Sequence, residues 1–235
     1  MSHGRILRNH HALITYSAKG WDILEQKRRR SQLLLEIFVK EGFNPKVYGS
    51  VARGDVHEES DIDIIFTRQI PSFQIELILN KYGYSNYHRE IIMATPYDTI
   101  KLYYYLSELE SITLPLSKFN KKSLEFYDFG GKVNLDQLRN DLRVPGINKQ
   151  LILIKPNVSG HEEYSVIGNE NLAAKDTGIS LSTISERKKV LLRREKHGKT
   201  GVFLKRSLDK SENPEEILRD VAKKKTFVRK KLSER

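Results

Sequence analysis

The sequence predicts an α/β chain of the α+β kind, a mixed β-sheet flanked by helices and followed by a smaller, basic, largely helical unit. Three observations predict it. Apolar residues recur at helical spacing from about Ala18 to Glu41, then at strand spacing on both sides of a compact glycine turn, which orders helix, strand, turn and strand. Residues 99–107 alternate Ile100, Leu102, Tyr104 and Leu106 against Lys101, Tyr103 and Tyr105, the period of a half-buried strand. Charge is divided unevenly, with 17 Lys and Arg against 16 Asp and Glu in residues 1–130, and 24 against 14 in residues 131–235. The net charge of +11 therefore belongs almost wholly to the second part. A near-neutral part joined to a strongly basic one implies a separate surface for polyanions, the plainer alternative being a lysine-rich solvated surface.

At 235 residues the chain has ample core for one large domain or two small ones. It contains no cysteine, which excludes disulfides, thiolate zinc sites and cysteine nucleophiles. No apolar run is long enough to cross a bilayer, and Met1-Ser2-His3-Gly4-Arg5 is not followed by a signal-peptide core. A cytoplasmic chain with no membrane partner is expected.

Taken in order, the helix over residues 18–41 carries Trp21, Leu24, Leu34, Leu35 and Phe38 on its apolar side, and Gly42 is placed to cap it. Lys27-Arg28-Arg29-Arg30 in its middle reads as a solvated face, or as a surface touching nucleic acid. Asn44-Pro45 turns the chain into a strand ending at Gly49-Ser50. After Phe66, Pro71 suits a first helical turn, with Phe73, Leu77 and Ile78 supporting a helix to about Tyr82-Gly83. A strand over Tyr87–Met93 follows, and Ile112–Leu116 with Pro115 reads as an edge or irregular segment. Tyr103, Tyr104, Tyr105, Phe126, Tyr127 and Phe129 read as core or as a platform for a base. Residues 118–129 look helical, and Gly130-Gly131 marks a boundary or hinge. Gln150–Ile154 is a continuous apolar strand, and His161-Glu162-Glu163 reads as polar surface.

The chemistry is concentrated in Val47-Tyr48-Gly49-Ser50-Val51-Ala52-Arg53-Gly54-Asp55 and Ser60-Asp61-Ile62-Asp63-Ile64-Ile65-Phe66. In an extended strand Asp61 and Asp63 project from one face, about 6.5–7 Å apart at the backbone, while Ile62, Ile64 and Phe66 take the other. Two carboxylates beside an apolar core repel each other unless a cation compensates, and a hard divalent ion does so with oxygen ligands and substrate phosphates. Gly49 and Ser50 let the backbone approach a phosphate, with Arg53 neutralising more of a triphosphate.

Gly-Ser with Ala-Arg-Gly and then Ser-Asp-Ile-Asp resembles the active-site signature of the DNA polymerase beta-type nucleotidyltransferase superfamily. It is most similar to the small prokaryotic and archaeal branch. The motif covers only residues 49–63, but its two linked parts at a fixed gap are more specific than a lone Asp-x-Asp. The resemblance implies a nucleotidyltransferase core, an NTP substrate, expected to be ATP, and Mg²⁺ or Mn²⁺ on Asp61 and Asp63. It also implies a third carboxylate from a later strand, for which Glu90 is the best-placed candidate and Asp98 the substitute. Glutamate there departs from the usual aspartate.

A second pattern lies in the basic part. Ala174, Gly178 and Ile184 have the spacing of a helix-turn-helix, with Ser182 as N-cap of the second helix and Thr183, Arg187 and Lys188 on its outer face. Val202-Phe203-Leu204 after a turn at Gly198–Gly201 suggests a wing hairpin. Residues from about 165 thus resemble a winged helix-turn-helix domain, in which Arg193, Arg194 and Lys199 would join them on DNA or RNA phosphates. The same spacing also serves simple helical packing. Asn213-Pro214-Glu215-Glu216 starts a last helix. The expected organisation is a catalytic domain over residues 1–130, a connecting segment over 131–164 and a basic nucleic-acid-binding domain over 165–235.

The leading expectation is a metal-dependent enzyme that moves a nucleoside monophosphate to an acceptor hydroxyl. Two alternatives stand beside it. One is a winged-helix DNA-binding regulator whose nucleotidyltransferase domain senses nucleotides or is inactive. The other is an antitoxin-like adenylyltransferase acting on a partner protein.

Overall fold

The computed structural model describes residues 5–198 and 201–234. The chain begins with strand β1 (His11–Thr15), helix α1 (Ala18–Val39), strand β2 (Lys46–Tyr48), the single turn α2 (Ser50–Arg53) and strand β3 (Ile62–Ile65). The Ser17 hydroxyl caps α1 by accepting from the Gly20 N–H at 3.2 Å. At its far end Gly42 takes φ +84°, and Phe43 N–H closes back onto the Phe38 carbonyl at 2.9 Å.

The basic run in α1 is not a solvated face. Arg28 is buried and donates to the carbonyls of Val51 at 3.1 Å and Leu142 at 2.8 Å. Lys27 reaches the Ser60 carbonyl at 2.8 Å, and Arg30 grips Glu110 through two hydrogen bonds of 2.6 and 2.8 Å. These cations satisfy loop carbonyls and one carboxylate that the sheet brings to the helix, and Arg29 alone of the four is exposed.

Next come α3 (Ser72–Lys81), β4 (His88–Met93), β5 (Lys101–Ser107), β6 (Glu110–Pro115), α4 (Lys121–Phe129), β7 (Lys132–Val133) and α5 (Leu135–Arg139). β3 pairs with β6 in parallel and the other pairs are antiparallel, so the sheet is mixed and flanked by helices, as expected. Side chains alternate across it. Ile62, Ile64, Leu102, Tyr104, Ile112 and Leu114 point into one core with Leu34, Leu35 and Phe38 of α1 and Ile75 and Leu79 of α3. The opposite face carries Asp63, Tyr103, Tyr105 and Ser111 by the same alternation.

The remaining elements are β8 (Gly146–Ile147), β9 (Ile152–Asn157), β10 (Gly160–Ser165), α6 (Glu170–Thr177), α7 (Leu181–His197), β11 (Leu204–Leu208), α8 (Pro214–Lys224) and α9 (Thr226–Ser233). The large sheet runs β11-β4-β5-β6-β3-β2-β7, and a second sheet runs β1-β10-β9-β8. A second core joins Ile147, Leu151, Leu153 and Phe129 to Ala173, Ile179, Ile184 and Leu191 of the α6–α7 region. Among the described residues no helix is long and apolar enough to cross a membrane.

The segment expected to form one unit over residues 165–235 is shared between these two cores. Residues from Leu204 do not return as a wing beside α7. β11 instead lies antiparallel on the edge of β4, with Leu204 opposite Met93 and Leu208 opposite Arg89, and Leu218, Ala222 and Val228 join the first core. An open strand edge offers a full row of hydrogen bonds, and β11 covers the one left by β4. Gly130-Gly131 is likewise no open hinge. A Cβ on Gly146 would stand 2.7 Å from the Gly130 carbonyl carbon, so the two segments are in direct backbone contact.

Candidate active site

The site begins at a turn. β2 ends at Tyr48, Gly49 takes φ +85° and ψ −146°, and the N–H groups of Ala52 and Arg53 close onto the Gly49 carbonyl at 3.0 and 3.1 Å. This conformation favours glycine, and no described atom lies within 4 Å of where a Cβ would stand. The space over Gly49 is therefore open to a ligand, while the Gly49 N–H itself donates to the Gly131 carbonyl at 2.9 Å.

Arg53 does not face that opening. It is 5% exposed, its Nε and Nη2 each donate to the Asp55 carboxylate at 2.9 Å, and its Nη1 donates to the Gly130 carbonyl at 2.6 Å. The expected triphosphate ligand is instead an internal brace of the turn, because burial makes a bidentate carboxylate partner nearly obligatory. Arg143 supports the other side, its guanidinium lying 4.9 Å from the Trp21 ring and donating to the Gly160 carbonyl at 2.8 Å. Tyr16 packs beside it and shares a hydrogen bond of 2.7 Å with His161 Nδ1. Burial, reinforced by Asp55, pushes the Tyr16 hydroxyl up to about 12. His161 is thus buried framework rather than polar surface.

Asp61 and Asp63 stand where the alternation puts them, half-buried on the open sheet face. Asp63 accepts a hydrogen bond from Ser111 Oγ at 2.6 Å. Burial raises its carboxyl above the ordinary value and Asp61 adds to the rise, while Ser111 and Lys149 oppose it. The strand registers align His88, Tyr105, Ser111, Asp63, Tyr48 and Lys132 in one row across the sheet. Tyr105 stacks between His88 and Tyr103 with ring centroids 6.0 Å apart on each side. Tyr48 meets Tyr127 of α4 edge-on at 4.8 Å, and Tyr104 and Tyr127 are core.

Lys149 is a cation whose charge reaches Asp63 and which sequence reasoning missed. It is exposed in the turn between β8 and β9, where Asn148 Oδ1 accepts from the N–H groups of Gln150 and Ile152 at 2.9 and 3.1 Å. Buried Leu151 holds φ +59° in that turn, a strained conformation for a branched apolar residue. The charge of Lys149 acts on Asp63. Nothing in a lone exposed lysine 86 positions downstream signals that role in the sequence.

Glu90 does not join the two aspartates. β6 and β5 both lie between β3 and β4, which separates the residues by roughly 14 Å at the backbone. Its carboxylate meets Lys205 Nζ at 3.2 Å, His88 Nε2 at 3.3 Å and the Ser207 hydroxyl at 3.1 Å. Burial pushes Glu90 up, but these partners outweigh it and hold the group below its ordinary value. The β4–β11 edge absorbs the carboxylate that was expected to complete the site. Asp98 lies in the loop before β5, close enough to act on Lys101 and Arg187. Among the described residues no group of three His, Cys, Asp or Glu side chains is arranged to hold a metal ion.

Residues 35–128 match the model of a family described as nucleotidyltransferase domain. Residues 35–128 form a nucleotidyltransferase domain. No curated protein and no solved structure matches the chain. The matched nucleotidyltransferase domain contains the Gly49–Ser50 turn, both aspartates and Ser111, and it ends within α4. A divalent ion fits its donor set. Two oxygen ligands share one face, and the raised carboxyl of Asp63 marks charge that a cation would stabilise.

Against this nucleotidyltransferase domain, α6 and α7 pack as the expected helix pair, with Gly178 at φ +68° between them. The cap of α7 is Ser180 rather than Ser182. The expected outer face points inward. Thr183 is buried and donates its hydroxyl to Glu125 of α4, Arg187 lies 4.6 Å from the Phe126 ring, and Lys188 pairs with Glu170. Arg193 is exposed and Arg194 half-buried, while Lys199 lies outside the described residues. α7 turns this side inward because α4 supplies a carboxylate and aromatic rings for it to cover.

Proposed function

We propose that the chain transfers a nucleoside monophosphate from an NTP, expected to be ATP, to an acceptor hydroxyl, with nucleic acid as acceptor or docking partner. The reading rests on one observation: Asp61 and Asp63 share an open face beside the Gly49–Ser50 turn inside the nucleotidyltransferase domain. The acceptor oxygen bonds to the α-phosphorus as the bond to the pyrophosphate oxygen breaks, and pyrophosphate leaves with that electron pair while the hydroxyl proton passes to solvent. Mg²⁺ or Mn²⁺ on Asp61 and Asp63 would supply charge neutralisation and a lower pKa for the attacking hydroxyl.

The chain's own residues position the substrate. Ser50 holds the outer phosphates through its backbone amide and hydroxyl, Gly49 leaves room for them while its own N–H donates to the Gly131 carbonyl at 2.9 Å, and Lys149 takes the charge-neutralising part first expected of Arg53. Arg53, Asp55 and Arg143 keep the turn in shape. Catalysis of this kind is mainly positioning and electrostatics, so no covalent nucleophile is required.

The test is a transfer assay with each of four α-³²P-labelled NTPs, Mg²⁺ or Mn²⁺, and pools of tRNA, total RNA, DNA and protein, with Asp61→Ala/Asp63→Ala as control. Label on one acceptor class, lost in the control, supports the reading and names the acceptor. A second reading, a DNA-binding regulator with a nucleotide-sensing domain, is favoured by the distance of Glu90 from Asp63. Absence of label with salt-sensitive DNA binding would support it instead.

A further inference from the structure

Two cations from different elements, Lys101 and Arg187, stand against the aromatic rings of α4, and neither has a carboxylate partner. Lys101 of β5 stands with its Nζ 5.6 Å from the Phe126 ring centroid and 5.4 Å from that of Tyr127. Arg187 of α7 lies 4.6 Å from the Phe126 centroid and 5.7 Å from that of Phe129. Both therefore sit on the aromatic side of α4, over one shared ring. Among the described residues neither side chain makes an ion pair or a hydrogen bond, and the Arg187 Nε is buried without a partner. Asp98 acts on both from beyond ion-pair distance. Burial pulls Lys101 down to about 8 and Arg187 down to about 10; Arg187 adds to the fall at Lys101 and Arg194 to the fall at Arg187, while Asp98 opposes both.

Like charges drawn together away from water cost free energy unless an anion stands between them. The register gives the place of Lys101 relative to the aspartates. Lys101 pairs with Pro115, four residues beyond Ser111, the partner of Asp63. That puts Lys101 on the same sheet face as Asp63 but roughly 13 Å along the strands and 10 Å across them. Gly49 and Ser50 lie at the other end of β3, beside Asp61. In an in-line displacement the leaving pyrophosphate and the attacking hydroxyl stand on opposite sides of the α-phosphorus. With the outer phosphates at Gly49–Ser50, the Lys101 end is the acceptor side.

We propose that Lys101 and Arg187 form an anion site for a backbone phosphate of a single-stranded nucleic-acid acceptor, set back from its attacking end. The inference rests on the transferase reading above for the direction of the strand. Tyr103 lies on β5 between Lys101 and the Asp63 row, so a strand running from the site to the two cations passes over a tyrosine ring on which a base can stack. Arg187 reaches this site from α7, and its phosphate contact would join the basic helix pair to the catalytic sheet.

The experiment compares full-length wild type, Lys101→Gln and Arg187→Gln by fluorescence anisotropy with a labelled single-stranded RNA octamer at several salt concentrations. ATP–Mg²⁺ affinity, thermal midpoint and transfer are measured on the same preparations. Each substitution should weaken octamer binding roughly 10- to 100-fold and reduce the salt slope by about one. ATP affinity should stay unchanged. Equal losses for ATP and octamer would assign the pair to the triphosphate and overturn the inference. A lower midpoint with unchanged octamer affinity would make the pair structural, which also overturns it. Wild type that transfers label while both variants bind the octamer normally sinks this site and leaves the transferase reading standing. Wild type that transfers nothing, with octamer binding still dependent on Lys101 and Arg187, does the reverse.

Discussion

The Ser111 hydroxyl donates a 2.6 Å hydrogen bond to Asp63, across the parallel pairing of β6 with β3. The neighbouring strand thus offers the site a hydroxyl at the position directly beside its second aspartate. This donor favours the charged form of a carboxylate that burial and Asp61 both disfavour.

Asp63 therefore links metal, pH and stability. Its pKa is raised on folding, so its contribution to stability is complete below the ordinary carboxylate value and is lost as pH rises through the raised one. At neutral pH without divalent ions, Asp63→Asn should raise the thermal midpoint, and the gain should vanish in acid. Added Mg²⁺ should raise the midpoint of wild type but not of the variant. Transfer by the variant should fall at least about 100-fold, which a calorimetric scan and a label assay on one preparation test together.

Arg53→Gln separates a brace from a substrate ligand. Removing one partner of a buried ion pair strands Asp55 and the Gly130 carbonyl, with an expected loss of about 3–5 kcal/mol in urea unfolding. Any loss of activity should follow the loss of structure. A raised KM for NTP with unchanged stability would instead return Arg53 to the triphosphate.

Glu90→Gln should leave transfer and its metal dependence within about threefold of wild type, as expected of a group outside the reaction. Its effect is on stability. A carboxylate held below its ordinary pKa contributes stability above that value and loses it as pH falls, so wild type and variant should converge in acid. A loss of activity like that of Asp63→Asn would restore Glu90 as a metal ligand.

Lys149→Met tests the missed residue. Its side chain is exposed, so the midpoint should hardly move, while transfer should fall roughly 10- to 100-fold. Unchanged kcat/KM would remove Lys149 from the site.

Much of the catalytic centre was legible because it is local. Gly49 and Ser50 meet Asp61 and Asp63 through one turn and one antiparallel pairing, and strand alternation alone puts both aspartates on one face. The Asn213 cap of α8 was readable for the same reason. Glu90 was misplaced because order along the chain does not give order across a sheet, and two strands inserted themselves between β3 and β4. The face of α7 was misread because helical period shows which residues lie together, not which side a carboxylate and two aromatic rings of α4 will cover.

The sequence by itself determined the glycine turn, the paired aspartates and the alternation of helices and strands, all set by backbone geometry over a few residues. Tertiary structure alone decided that Arg53 braces rather than binds and that β11 closes the edge of β4. Those outcomes depend on which distant groups share a low-dielectric space, where an unpaired charge or an open strand edge is too costly to remain.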